Sequence, residues 1–146
     1  MAKMTPDHHD AELVLKVYDL RREATMRQSR TAILRQFWPK SYEDVKVVTS
    51  NPEHPLNAPL RQVGTFWEMV YGMVKHGIVH PGYFLESNGE GLFLFAKMDP
   101  YLEQYRKDGS PSSFKNAEWV ARECPDGQRL YAGIRARVKK MAESRH

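Results

Sequence analysis

The chain has 146 residues and a net charge of +4, with 41% hydrophobic and 11% aromatic residues. That length fits one domain, since domains commonly run to about 100–200 residues, and it can bury about 68–70% of the unfolded surface without disulfides or metal. The composition excludes an intrinsically disordered chain, and the single cysteine, Cys124, excludes an internal disulfide. The longest apolar run, Leu92 to Ala96, is too short for a transmembrane helix.

One cysteine and the lack of an apolar signal-peptide core after Met1 make a cytoplasmic protein the expectation, with no membrane partner. Cys124 precedes Pro125 and has no histidine near it in sequence, so it reads as an inert thiol. Charge is unevenly spread: residues 1–40 carry +3, residues 41–108 carry −3 and residues 109–146 carry +4. Basic ends around an acidic middle leave room for a nucleic-acid or other anionic partner.

In chain order, Asp7 to Trp38 reads as one long helix without Gly or Pro. Leu13, Val17, Leu20 and Ala24 form one apolar stripe, while Leu15, Met26, Ile33 and Phe37 form a second on nearly the opposite side. Such a helix changes partner midway or is clasped from two sides, either within the monomer or by a second copy. Trp38-Pro39 ends it, and Ser41 with Asp44 resembles a capping box for a short helix to about Val48. Three prolines between Asn51 and Pro59 make a surface loop.

With Asn57 as N-cap and Pro59 in the first turn, the next helix runs to about His76 and stops at Gly77. Leu60, Val63, Phe66, Trp67, Val70, Tyr71, Met73 and Val74 cover more than half its circumference, which predicts a buried central helix. His80-Pro81 starts a short helix to Glu86, and Glu90 to Met98 is read as a buried helix rather than a strand. Asp99-Pro100 restarts a helix to Lys107, and Ser112 or Ser113 caps another to about Glu123. The last, from near Gln128 to Ala142, places Leu130, Ile134, Val138 and Met141 on one face. The fold class expected is all-α: a single compact bundle of six or seven helices, with flexible ends at residues 1–8 and 143–146.

Three phrases, Tyr18-Asp-Leu-Arg-Arg-Glu23, Leu60-Arg-Gln-Val-Gly-Thr-Phe-Trp-Glu-Met69 and Asn88-Gly-Glu-Gly-Leu-Phe-Leu-Phe-Ala-Lys97, resemble small bacterial helical proteins catalogued as a domain of unknown function. The resemblance spans about residues 10–140. It implies a bacterial, stand-alone helical domain and carries over no activity or site residues.

Chemistry-bearing residues are sparse. His8, His9, Asp10 and Glu12 could ligate a divalent metal, yet they suit an acidic first helical turn better, so no metal or other cofactor is expected. Glu68, His76, His80 and Glu86 would form a ligand pocket or enzyme site if the fold brought them together. Gly89-Glu90-Gly91 matches neither the P-loop nor the dinucleotide fingerprint, and no nucleophile-elbow or kinase signature is present, so no catalytic residue is named. Arg21, Arg22, Arg27, Arg30 and Arg35 scatter around their helix. Arg129, Arg135, Lys139 and Lys140 oppose the apolar stripe of the last helix and could bind nucleic acid or another anion. Dense packing signals without convergent chemistry favour a non-enzymatic module that self-associates, a homo-oligomer. Anion binding through the last helix is the alternative.

Overall fold

The computed structural model describes residues 3–145. Its elements are α1 (His8–Arg21), α2 (Ala24–Gln36), α3 (Tyr42–Thr49), α4 (Asn57–Lys75), α5 (Pro81–Ser87), α6 (Glu90–Met98), a 3-10 turn (Asp99–Tyr101), α7 (Leu102–Lys107), α8 (Lys115–Arg122) and α9 (Pro125–Glu143). The fold is all-α, with no strand among the described residues. The described residues form nine α-helices rather than six or seven, and one of the added helices arises because the first expected helix is two.

That helix breaks at Arg22-Glu23, where no glycine or proline signals it. Glu23 adopts an extended ψ of 141°, and its carboxylate accepts from the Met26 N–H at 2.9 Å, so it serves as the N-cap of α2. Arg30 Nη1 donates to the Arg21 carbonyl at 3.2 Å, which satisfies the free end of α1. Each of the two sequence stripes therefore holds in one half only. Val17 is buried and Leu13 half-buried before the break, and Ile33 and Phe37 are buried after it, while Leu15, Leu20 and Ala24 face solvent. The change of partner is real: α1 packs on α5 and α2, whereas α2 packs on α4.

The expected central helix is central. α4 lies against α2, α8, α6 and α3 and buries the ring-bearing face from Leu60 to Val74. A second helix shares that place. In α6 every residue from Gly91 to Met98 except Phe93 is buried, and the helix packs on α9, α8 and α4. α4 and α6 approach closely at Gly91, where an added Cβ would lie 2.7 Å from the Tyr71 ring. Tyr71 is itself fixed, donating to the Asn88 carbonyl at 2.7 Å and accepting from the Leu92 N–H at 3.1 Å. The buried apolar side chains from Val17 to Val138 form one cluster.

Several caps differ from the sequence reading because tertiary partners supply them. Asn57 is the first residue of α4 rather than its cap, and its amide donates to the Val48 carbonyl at 2.9 Å. Ser41 caps α3 as expected. Neither Ser112 nor Ser113 caps α8. The residue before that helix is Phe114, held in left-handed geometry (φ 62°) with no side-chain oxygen to offer. Glu68 reaches across from α4 instead, its two oxygens accepting from the Asn116 and Ala117 N–H groups at 2.8 Å each, while Asn116 Nδ2 donates to the Glu68 carbonyl at 2.9 Å. A carboxylate on two free helix-end donors also complements the positive N-terminal end of the helix dipole. Glu68→Ala is expected to cost about 2 kcal/mol, with Glu68→Gln recovering part of it. Urea unfolding checks this, and wild-type stability in both variants would refute the assignment.

Asp10, at 0% exposure, joins α1 to α5. Its carboxylate accepts from the Asp7 N–H at 2.8 Å and the His80 N–H at 2.9 Å, with Lys3 Nζ at 3.2 Å. Burial pushes its pKa up, but the His80 and Asp7 N–H groups and Lys3 outweigh that and hold it below the usual carboxylate value. Of the ends expected to be flexible, residues 1, 2 and 146 lie outside the described residues. Lys3 is anchored on Asp7 and Asp10, and α9 runs through Glu143. No described helix is long and apolar enough to cross a membrane.

Candidate anion-binding cleft

A cavity of about 800 Å³ opens where the chain leaves α2, between the end of α6 and the C-terminal half of α9. Trp38-Pro39-Lys40 forms one wall because proline stops helical geometry there and the chain must turn away. Ala96 and Lys97 form the floor, and the 3-10 turn from Asp99 to Tyr101 forms the next side. Arg122 closes one edge, and α9 contributes Arg135, Val138, Lys139, Ala142 and Glu143, followed by Arg145.

The aromatic walls are held by their polar atoms. Trp38 Nε1 donates to the Leu34 carbonyl at 3.2 Å, and the Tyr101 hydroxyl donates to the Pro39 carbonyl at 3.2 Å. Asp99 does not cap a helix as the sequence suggests. Its carboxylate instead accepts from the Tyr131 hydroxyl at 2.8 Å and pairs with Arg122, which also donates to Glu118 at 2.8 Å. Arg122 and Asp99 thereby largely cancel. The other cations lining the cavity are Lys40, Lys97, Arg135, Lys139 and Arg145, against the one further carboxylate of Glu143. Among the described residues, the side chains of Lys40, Arg135 and Lys139 make no ion pair or hydrogen bond, although the Lys40 backbone N–H donates to Asp44 at 2.8 Å. Their charge faces a concave surface, where the field is concentrated.

Lys97 is unlike the others. It is only 4% exposed, on a helix otherwise apolar along this stretch. Its Nζ donates to the last-turn carbonyls of α2, Ile33 at 3.0 Å and Leu34 at 3.4 Å, and sits 3.9 Å from the Trp38 ring centre and 5.1 Å from that of Phe93. Arg145 lies over the same indole at 4.3 Å. Burial, helped by the Arg145 charge and only partly opposed by Glu90, pushes the Lys97 pKa down to about 7.

The four basic residues expected to meet an anionic partner separate into two groups. Arg135 and Lys139 line the cleft. Arg129 is at the other end of α9, paired with Asp126 at 2.6 Å, and Lys140 is exposed. The other candidate set does not share one cavity. Glu68 lines a space of about 380 Å³ near Arg61 and Phe114, and its oxygens are engaged by α8. Glu86 lines a separate groove of about 600 Å³ with Leu130 and Arg137. Neither histidine lines these spaces. His76 is exposed at the end of α4, and the ring of His80 caps α5, its Nδ1 accepting from the Tyr83 N–H at 3.0 Å. Glu90 is taken by Arg30, whose Nε and Nη2 fork onto its two oxygens at 2.7 Å each. His8, His9 and Glu12 are exposed and Asp10 is spent on backbone N–H groups, and the described residues hold no cluster of three potential metal ligands.

Sequence reasoning misses Trp38, Lys40, Lys97, Tyr101 and Arg145. Lys97 carries a readable signal, a single cation inside an apolar helix; the others are neighbours only through tertiary packing. No curated protein and no solved structure is significantly similar to this chain. Residues 6–124 match a family whose description assigns no function, and the match takes in the cleft walls from Trp38 to Lys40 and from Ala96 to Tyr101. Over more than half its length, then, the chain belongs to the family described as Domain of unknown function (DUF4760).

Proposed function

We propose that the protein binds a small molecule bearing a phosphate or carboxylate group in the basic cleft beside α9. The observation that carries this reading is the charge of one cavity: five cations besides Lys97 against two carboxylates, with Arg122 and Asp99 already paired. Its size of about 800 Å³ suits a metabolite, and Trp38, Tyr101 and Val138 add apolar surface for the uncharged part. The α9 cations seen in the sequence support the same reading, narrowed from the whole helix face to Arg135 and Lys139.

Titration calorimetry at low salt with inorganic pyrophosphate as probe tests it. Arg135→Ala and Lys139→Ala are each expected to weaken binding about 5–10-fold, the value of one charge-assisted contact, while Arg129→Ala and Lys140→Ala leave it unchanged. No binding by any probe of this class at low salt would end the proposal. Equal loss in all four variants, with steeply salt-dependent binding of single- or double-stranded nucleic acid, would replace the small molecule by a polyanion that follows the helix.

Self-association is a second reading, supported by exposed apolar side chains on α1: Leu15 at 67%, Tyr18 at 52% and Leu20 at 41%. Light scattering is expected to give a dimer or larger species that Leu15→Glu with Tyr18→Glu reduces to monomer. A wild-type monomer at high concentration would dispose of it.

A further inference from the structure

We propose that Lys97 Nζ is a covalent carbonyl-binding site, forming an imine with an aldehyde or ketone on the anionic molecule held by the cleft. This rests on the anion-binding reading and names the ligand class more narrowly: an acid or phosphate that also carries a reactive carbonyl.

The geometry supplies what an amine nucleophile needs. Lys97 is one of the residues lining the cleft, and its buried Nζ lies beside the cleft-lining Trp38 ring, so reaching a carbonyl in the cleft takes a rotation of the side-chain end out from between Trp38 and Phe93. Among the described residues no carboxylate lies within ion-pairing distance to hold it as an ammonium. The groups in contact with it are neutral, Phe93 and Trp38 beside it and two backbone carbonyls, with Arg145 over the shared indole; the one carboxylate that acts on it, Glu90, does so from a distance and is paired with Arg30. A neutral amine has two N–H bonds and one lone pair. The Ile33 and Leu34 carbonyls take the two N–H bonds, which leaves the lone pair over. Burial, which pushes this amine's pKa down to about 7, makes the neutral form abundant near neutrality, when an ordinary lysine is almost wholly protonated. The flexible cations Lys40, Arg135 and Lys139 lie on the same cavity, where they can hold the acid group of the incoming molecule.

The chemistry balances without an oxidant or reductant. The Nζ lone pair attacks the carbonyl carbon and a C–N bond forms, with the carbonyl π pair moving to oxygen. Two protons pass from nitrogen to that oxygen, which leaves as water as the C=N bond forms; one proton taken back from solvent gives the protonated imine. That species keeps one N–H, which stays with the nearer Ile33 carbonyl, while the longer contact to Leu34 is given up. The bond is reversible by water, so the site captures and releases the ligand.

The test is reductive trapping on the intact wild-type protein at pH 7.5, with 4-carboxybenzaldehyde and its uncharged counterpart benzaldehyde. Cyanoborohydride reduces any imine to a stable secondary amine, and peptide mass mapping locates it. The expected result is labelling of Lys97 at least about tenfold above the mean of the exposed lysines, because its neutral fraction is far larger. The charged aldehyde is expected to be favoured, and inorganic pyrophosphate to protect. Adducts on exposed lysines with Lys97 unmodified overturn the inference, and if pyrophosphate still binds, the cleft's anion reading stands alone. Lys97 labelling by both aldehydes alike, without protection by pyrophosphate, upholds the covalent site but removes the anionic requirement and counts against the cleft reading. Lys97→Met removes the labelled peptide in either case. Because the mapping is done on wild-type protein, poor folding of that variant leaves the test intact.

Discussion

Gly127→Ala is expected to lower stability by about 3 kcal/mol or more, among the largest effects of any single methyl group in this chain. Gly127 lies in the first turn of α9, where that helix crosses α8. A Cβ there would fall 1.9 Å from the Val120 carbonyl oxygen and 2.8 Å from the Val120 Cγ1. The obstacle is helix backbone rather than a side chain that can swing away, and Val120 is fully buried. The methyl therefore fits only if α9 moves off α8, which opens the packing of Tyr131 and Ile134 on the core. For a chain of this size the cost corresponds to a fall in Tm of about 6–12 °C. Gly133, on the same helix, is the control, since nothing lies within 4 Å of its added Cβ. Gly133→Ala is expected to be neutral or to stabilise by up to about 1 kcal/mol through helix propensity. Thermal unfolding of both decides it: a Gly127→Ala variant as stable as Gly133→Ala would mean that the two helices do not meet as described. Because α9 carries Arg135 and Lys139, the same shift is expected to weaken pyrophosphate binding.

Stability is expected to rise with pH between about 7.5 and 9.5, with Lys97 as the main source. Burial lowers the folded pKa of Lys97 to about 7 from an ordinary value of 10.5. Between those two values the unfolded chain holds a proton that the folded chain has released, so raising the pH favours the folded state. The penalty is complete below pH 7, where both states are protonated, and gone above 10.5, where neither is. One proton gives a slope of at most about 1.4 kcal/mol per pH unit, hence up to about 2.7 kcal/mol across the window. The upper bound of the window is set by the tyrosines. Tyr42 is raised to about 12 chiefly by the hydrogen bond it donates to Asp108, and burial raises Tyr71 and Tyr131 from 10.0, so their contributions decline as pH passes 10. Urea unfolding as a function of pH checks the slope. Lys97→Met is expected to flatten it, and parallel curves for wild type and Lys97→Met would show that Lys97 stays protonated in the folded protein.

How far the sequence can be read depends on the range of the interactions involved. The course of α4 is legible from Leu60 to Val74, because more than half of its circumference is apolar and a helix of that kind can only be buried. α6 is legible for the same reason. The break at Arg22-Glu23 is not, since its cap is an acidic side chain and its other support is Arg30 reaching from the next helix. Glu68 stands out as an acid on an apolar helix, but its partners are the free N–H groups of α8, 48 and 49 residues on, which no local pattern indicates. In α9 the basic face is visible, yet only two of its four named cations line a cavity.

The sequence by itself determined the class and the local grammar: an all-α chain, its cap at Ser41, a helix start at His80-Pro81, its stops at Pro39 and Gly77, and its buried central helix. These follow from backbone sterics, short-range hydrogen bonds and the period of apolar residues, all of which act over a few positions. Only the tertiary structure decided which charges meet. Trp38, Lys97 and Arg145 lie far apart along the chain and share one cleft because α2, α6 and α9 converge there. The fate of Lys97 depends on the same convergence, for burial and the Arg145 charge, neither local in sequence, are what lower its pKa.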